Sequence, residues 1–416
     1  MVAEIGQTVV ERFLRYVRYD TQSAENSETY PSTENQKELG RQIVEELKNI
    51  RLEDASIDEY GYVMATLPAN IQRTVPVIGF IGHMDTSPAL SGKNVKPQIH
   101  ESYAGNDLVL SGDNTQILRC SENPELSKKI GDEIITSDGT TLLGADDKAG
   151  VAEIMDTVYY LVNNPEIQHG TIRVAFTPDE EVGSGVEHFD VQRFGAQYAY
   201  TVDGETPGDV ENETFSADSV YVTFRGISFH PGYAKGRLVN SIKIASAFVN
   251  KLPKDRMSPE TTEEMEGYVH PYLMEGGVES TSVKFIIRDF DDNELKKKEE
   301  MLRALAEETV RSYPKSSFTF EVEETYRNMK RVLDRHPQVV EKAMDAVRMA
   351  GLRPRLGRIR GGTDGARLCY MGLPTPNLAS GQHNFHSKLE WISIQDMKKA
   401  VEVIVNLVKG WATISG

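Results

Sequence analysis

"VPVIGFIGHMDTS", residues 75–87, begins as an apolar run and ends with a histidine and an aspartate two positions apart. Val75 to Gly82 reads as a buried strand. Its end has two readings. It is a strand running out into a polar loop, or it is a metal ligand, His83, followed by an orienting carboxylate, Asp85. The stretch alone does not separate them, so the rest of the chain has to.

The chain has 416 residues, 39% hydrophobic and 26% charged. That length favours two domains. The apolar runs are too short to span a bilayer, and Met1-Val2-Ala3-Glu4 has neither the basic nor the apolar region of a signal peptide. The two cysteines, Cys120 and Cys369, have no metal-type spacing and read as reduced thiols. A cytoplasmic protein is expected. The formal net charge of −17 opposes binding to nucleic acid or to anionic membranes. No strand is followed by the G-x-G-x-x-G turn of a dinucleotide-binding dehydrogenase.

Helical spacing covers Thr8 to Val17 and Gln36 to Asn49. Residues 87–135, rich in Gly, Pro, Asn and Ser, read as a long excursion with short strands. A helix follows from about Ala149 to Asn164, with strands at 171–176 and 198–202. Beyond that the order changes. Strands at 218–224, 268–275, 281–290 and 317–326 alternate with helices at 238–252 and 293–313. This is the βαββαβ order of a split ferredoxin-like unit. Residues 214–326 are therefore expected to be an inserted α+β domain. Residues 1–213 and 327–416 would form a discontinuous α/β domain with a mixed sheet.

The ends of the strands in the first domain carry a pattern. His83 and Asp85 follow the first, Glu180 and Glu181 follow 171–176, and Asp203 follows 198–202. "LPTPNLA" (373–379) leads to His383 and His386, and Asp146 and Asp147 precede a helix. In open α/β sheets ligands collect at the carboxyl ends of strands. Imidazole and carboxylate donors suit Zn²⁺ and related divalent ions. A pair of such ions needs a bridging carboxylate, terminal ligands and a separate general base. Adjacent glutamates can divide the last two duties.

"GHMDTS", "LLGADDKAG", "TPDEEVGSG", "TVDGE" and "GQHNFHSK" together resemble the metal-site segments of the co-catalytic zinc peptidases, the family of aminoacylase, succinyl-diaminopimelate desuccinylase and glutamate carboxypeptidase. "NVKPQIHESYAGNDLVL" (94–110), "SFHPGYAKGRLVNS" (228–241) and "IRGGTDGARL" (359–368) are similar to its tripeptide aminopeptidases. The likeness runs nearly end to end. It implies two divalent ions, with zinc expected. His83 and Asp203 would hold one, Glu181 and His386 the other, and Asp146 would bridge them. Glu180 would be the general base, and Asp85 would fix the His83 ring. It also implies a cis peptide between Asp146 and Asp147. In the inserted domain, a lid and dimerisation domain by this resemblance, His230 would stabilise the oxyanion, from the partner subunit in related dimers. Asn240 and Arg288 would lie near the substrate, and Arg360 would clamp the peptide carboxylate. The ligand position falls on His386, which leaves His383 as a rim residue. Lys148 would neutralise local charge or form a structural salt bridge. A dipeptidase, carboxypeptidase or deacylase shares the same metal core. A catalytically dead homologue would lack a ligand or the base, and none is missing.

Overall fold

The computed structural model of the chain describes residues 3–413. The apolar run of the opening stretch forms the strand Ile78–His83, and every residue of it is buried. It runs parallel to both neighbours, Ile172–Thr177 and Tyr198–Gly204. Strands buried on both faces need no polar alternation, which is why these segments read as continuous apolar runs.

These strands are the middle of an eight-stranded sheet. Its order is Ser56–Ile57, Val63–Leu67, Ile172–Thr177, Ile78–His83, Tyr198–Gly204, Asn377–Ala379, Asp209–Thr214 and Arg355–Ile359. Val63–Leu67 is antiparallel to its inner neighbour, as is Asp209–Thr214 to Asn377–Ala379. The sheet is therefore mixed, as expected. The sequence reading does not include four of these strands: Ser56–Ile57, Val63–Leu67, Asp209–Thr214 and Arg355–Ile359. In Asp209–Thr214 ("DVENET") burial alternates residue by residue, and acids fill the less buried positions. A window scored on apolar content passes over such a strand. The strand at 198 also runs further than expected, so Asp203 lies within Tyr198–Gly204 and not beyond it.

Register fixes where the polar residues emerge. His83 pairs with Thr177, so Glu180 and Glu181 leave the adjacent strand at the level of His83. The hydrogen-bonded helix Ala145–Asn163 packs on the two central strands Ile78–His83 and Tyr198–Gly204, and against the helix Ile394–Ala412. Its first residues are not helical: Asp146 has ψ 104° and Asp147 has φ −117°. The Asp146–Asp147 peptide is cis, as the resemblance implies. The excursion after residue 87 supplies Gln98–His100 and Ile134–Thr136. These join Trp391–Ser393 and Gln382–His383 in a second, four-stranded sheet.

The chain divides into two compact units. One comprises the segments up to Asn212, Met329–Gly357 and from Thr363 onward; the other comprises Glu213–Asn328 and Arg358–Gly362. The second unit has an antiparallel sheet in the order Tyr268–Gly276, Ser280–Asp289, Ser216–Arg225, Ser317–Tyr326. Its helices are Ser241–Val249 and Asp292–Arg311, which gives the βαββαβ order. Alternate residues of Ser280–Asp289 are buried. They meet Ile244, Phe248, Leu295 and Leu302 from the helices in one apolar core. One face of the sheet is thus covered and the other is polar.

Gly150 shows how closely the site helix approaches the sheet. A Cβ there would lie 1.8 Å from the main-chain oxygen of Val202 and 2.5 Å from Asp147 Oδ1. Neither atom can move without shifting a strand or a buried carboxylate. Gly150→Ala is expected to cost about 3 kcal/mol or more, read as a lowered midpoint of thermal unfolding. An unchanged midpoint would show that the helix can slide.

Candidate metal centre

Three segments of the first unit bring His83, Asp146 and Asp203 together, and three bring Asp146, Glu181 and His386 together. Within each group the candidate ligand atoms lie within 4.8 Å of one another. Asp146 belongs to both. Its Oδ1 lies 2.9 Å from His83 Nε2, and its Oδ2 lies 3.1 Å from His386 Nε2. His83 Nε2 is also 3.7 Å from Asp203 Oδ1, and His386 Nε2 is 2.7 Å from Glu181 Oε2. Glu181 Oε1 is buried with no hydrogen-bond partner. A buried carboxylate oxygen left open beside an imidazole is what a cation would complete. The donor set, two imidazoles and three carboxylates, fits two divalent ions sharing one bridging carboxylate.

The surroundings hold these groups in place. Asp147 is fully buried, accepting the His83 main-chain N–H through Oδ2 and that of Gly150 through Oδ1. Gln382 donates to both Asp203 Oδ1 and its main-chain oxygen. Asn377 Oδ1 accepts the Asp203 N–H. Glu390 accepts three main-chain N–H groups, from Leu143 and Gly144 at Oε2 and from Asp146 at Oε1, at 2.7, 2.8 and 3.1 Å. That carboxylate is 1% exposed, and it fixes the approach to Asp146. The sequence reading does not name Glu390. Its signal is an acid flanked by Leu389 and Trp391 in an otherwise apolar segment.

Asp85 does more than expected. His83 Nδ1 faces the main-chain oxygen of Asp85 at 3.1 Å and its Oδ1 at 3.3 Å, so residue 85 does hold the ring. The same carboxylate also accepts the main-chain N–H groups of Glu180 and Glu181, at 3.0 and 3.1 Å. It therefore ties the first ligand to the turn that carries Glu180 and the second group. Two expectations are corrected. His383 is not a rim residue: it is 2% exposed, stacked on Trp391, with Nδ1 3.1 Å from Glu205. Of the two readings of Lys148, the salt bridge is not formed among the described residues: Lys148 is buried, and its Nζ donates to the Tyr19 carbonyl, while the carboxylates of Asp20, Glu390 and Asp85 act on it through charge alone.

His230, Asn240, Arg288 and Arg360 lie in the second unit. His230 is exposed, and its Nδ1 accepts the Gly232 N–H. Asn240 caps the helix Ser241–Val249 by accepting the N–H groups of Ile242 and Lys243. Arg288 Nη1 donates to the Arg360 carbonyl. The Arg360 guanidinium sits over the Phe215 ring and donates to the carbonyls of Glu264, Glu266 and Thr262 and to the Thr262 hydroxyl.

The electrostatics follow from acids gathered out of water. Burial raises the pKa of Glu180 well above the usual carboxylate range; Asp364, Asp203 and Glu181 push the same way against His83. Burial and Asp146 raise Glu181 to about 8, against His386. Burial works to raise Asp146, yet hydrogen bonds from His386 and His83 hold it below its ordinary value. Burial works to lower the histidines, but the carboxylates win: His386 is raised to about 10 by Asp146 and Glu181, and His83 well above normal by Asp146 and Asp203. With its pKa near 10, the His386 ring in the protein alone is protonated at neutral pH.

A family model described as peptidase family M20/M25/M40 matches residues 138–410. The chain is 51% identical to Peptidase T of Caldanaerobacter subterraneus subsp. tengcongensis over 401 residues, covering 96% of this chain and 98% of the relative. It is 50% identical to Peptidase T of Geobacillus kaustophilus, with 97% and 98% covered. It is similar to the crystal structure of aminopeptidase PepT from Bacillus cereus, at TM-score 0.75 and 25% identity, with 98% of this chain and 99% of that chain covered.

Ligation requires neutral imidazole and ionised carboxylate, so ions entering the second group must displace the protons on His386 and Glu181. Apparent metal affinity is expected to rise with pH up to the raised pKa values, about tenfold per pH unit for each proton displaced. Calorimetric titration in buffers of different ionisation enthalpy reads the released protons directly; an enthalpy independent of buffer would refute the protonated state. Separately, Glu390→Ala leaves three buried N–H groups without an acceptor. It is expected to lower both metal affinity and the thermal midpoint, at about 1–3 kcal/mol for each group left unpaired.

Proposed function

The chain belongs to peptidase family M20/M25/M40, and we propose that it is a metallo-aminopeptidase that releases the N-terminal residue from tripeptides. The observation that carries this reading is Asp146, whose two oxygens face His83 and His386 separately. His83 and Asp203 would hold one ion, Glu181 and His386 the other, with Asp146 common to both. The imidazole–carboxylate mixture favours Zn²⁺. Bound there, such ions would polarise the scissile carbonyl and acidify the attacking water.

The chain's own groups do the rest. Glu180 lies in neither ligand group, which leaves its carboxylate to take a proton from the water and pass it to the leaving amine. Its raised proton affinity favours the first half of that exchange, since a carboxylate that binds a proton more tightly is the stronger base toward the water. Asp85 keeps the Glu180 main chain in register with His83 by accepting both N–H groups of the turn. His230 would donate to the oxygen that becomes negative as the carbonyl is attacked. In the family arrangement it is supplied by a partner subunit, so a homodimer through the second unit belongs to this reading. Asn240 and Arg288 would line the peptide. For Arg360 to clamp the peptide carboxylate, its guanidinium must exchange the carbonyls of Glu264 and Glu266 for the ligand.

Tripeptides are the favoured substrate class because the relatives named Peptidase T are about half identical over nearly the whole length. A cytoplasmic role in peptide breakdown fits a chain in which, among the described residues, no helix is long and apolar enough to cross a membrane.

Hydrolysis of tri-Ala, di-Ala, tetra-Ala and N-acetyl-Ala by the zinc-loaded protein tests the reading. Tri-Ala is expected to be the preferred substrate; preference for di-Ala or N-acetyl-Ala would assign a dipeptidase or deacylase in its place. Glu180→Ala is expected to lower kcat by about 10²–10⁴ while metal content stays near two per chain. Activity that survives this change would remove Glu180 from the mechanism.

A further inference from the structure

We propose that Glu25 receives the α-ammonium group of the substrate and thereby sets the requirement for a free N-terminus. The inference rests on the aminopeptidase reading above. An open cavity of about 460 Å³ is lined by Glu25, Ser87, Pro88, Ala89, Glu181 and His386. Glu181 and His386 are members of the second ligand group, so this cavity is the space in front of that group. Its wall is otherwise short: a hydroxyl, a proline ring and a methyl.

Two carboxylates line the cavity, and they are in different states. Glu181 is turned to His386 at 2.7 Å. Glu25 is exposed, and among the described residues nothing hydrogen-bonds to its carboxylate or pairs with it. It is therefore available to a cation.

The main chain around Glu25 is anchored to the site from both sides. Gln22 Nε2 donates to the carbonyls of Ser87, Pro88 and Leu90, the segment that forms the cavity wall. The Ser23 N–H donates to the Thr86 carbonyl. The Ala24 N–H donates to Ser32 Oγ, and Ser32 donates through its N–H and its hydroxyl to Asp179, the residue before Glu180. A carboxylate on so tethered a backbone faces the substrate with little ordering left to do on binding.

The charge argument fixes what it binds. A peptide amine is a cation at neutral pH, and two divalent ions in the ligand groups would repel it. The neutral wall offers no counter-charge, and Glu25 does. An acylated N-terminus has no such charge to place there, so a single carboxylate distinguishes a free peptide from an acylated one.

The test compares wild type, Glu25→Gln, Glu25→Asp and Glu25→Lys as metal-loaded enzymes. Substrates are tri-Ala, its des-amino analogue propionyl-Ala-Ala, and Lys-Ala-Ala. Glu25→Gln is expected to raise KM for tri-Ala about five- to tenfold with kcat little changed, and Glu25→Lys to raise it further. Glu25→Asp recovers part of the loss. Affinity for propionyl-Ala-Ala, read as KM or as inhibition of tri-Ala cleavage, stays as in wild type. The proposal is overturned if Glu25→Gln leaves the tri-Ala KM within twofold, if propionyl-Ala-Ala weakens equally, or if the effect is confined to Lys-Ala-Ala. A wild-type enzyme that does not cleave tri-Ala overturns the aminopeptidase reading and this proposal with it. One that does cleave it, with Glu25→Gln unaffected, overturns the proposal alone.

Discussion

One carboxylate, Asp146, faces two imidazoles from distant parts of the chain, and the rest of the first unit can be read as support for that arrangement. A carboxylate presents two oxygens in a fixed plane. For one to meet His83 and the other His386, the backbone at residue 146 must be aimed closely. Glu390 grips the approach through three N–H groups, and Asp147 ties the exit to the strand that bears His83. Gly150 lets the helix that follows lie against the carbonyl of Val202, immediately before Asp203. Each of these brings a ligand segment nearer to Asp146.

The same gathering is electrostatically expensive. Asp85, Asp146, Asp147, Glu180, Glu181, Asp203 and Glu390 lie near one another with little access to water. Burial raises most of their pKa values, Glu390 to about 7. A buried carboxylate is tolerated when neutral, hydrogen-bonded or paired with a cation. The last two occur here. Asp85 and Glu390 are satisfied by main-chain N–H groups. Asp146 is held ionised by hydrogen bonds from His386 and His83. Such a site is unfavourable for the folded chain by itself and favourable for a chain with divalent cations, which is how affinity for metal is built into a fold.

Much of this was legible in the sequence, and the limits have physical causes. The central strands and the helices at 8–17, 36–49, 149–164, 238–252 and 293–313 showed because apolar content and periodicity report burial directly; the helix Ile394–Ala412, which packs on Ala145–Asn163, is absent from that reading. Asp209–Thr214 and Arg355–Ile359 did not, because their burial is partial and their apolar residues few. Ligand-type residues at strand ends could be collected from the pattern, and the family likeness then sorted them into roles. The supporting groups escaped. Nothing in "KLEWIS" says that Glu390 reaches back over 240 residues to the Asp146 N–H. Nothing near His83 says that the Asp85 carboxylate also holds the Glu180 turn. Those contacts are products of tertiary geometry, and they carry no local period. His383 is the complementary case. A histidine three positions from a ligand looked peripheral, and stacking on Trp391 took it into the interior.

The order of the ligands along the chain has a consequence for biosynthesis. His83, Asp146, Glu181 and Asp203 are all made before the second unit begins, whereas His386 comes after it. Its segment is brought home by Trp391–Ser393 pairing with Ile134–Thr136. A nascent chain that has emerged through the second unit holds every member of the first ligand group but lacks His386 of the second, as well as the Asn377, Gln382 and Glu390 that position Asp203 and Asp146. Domains generally fold in the order in which they are synthesised. Two-ion chemistry is therefore withheld until the final segment docks, and truncated or half-made chains have no second ligand group with which to act on peptides.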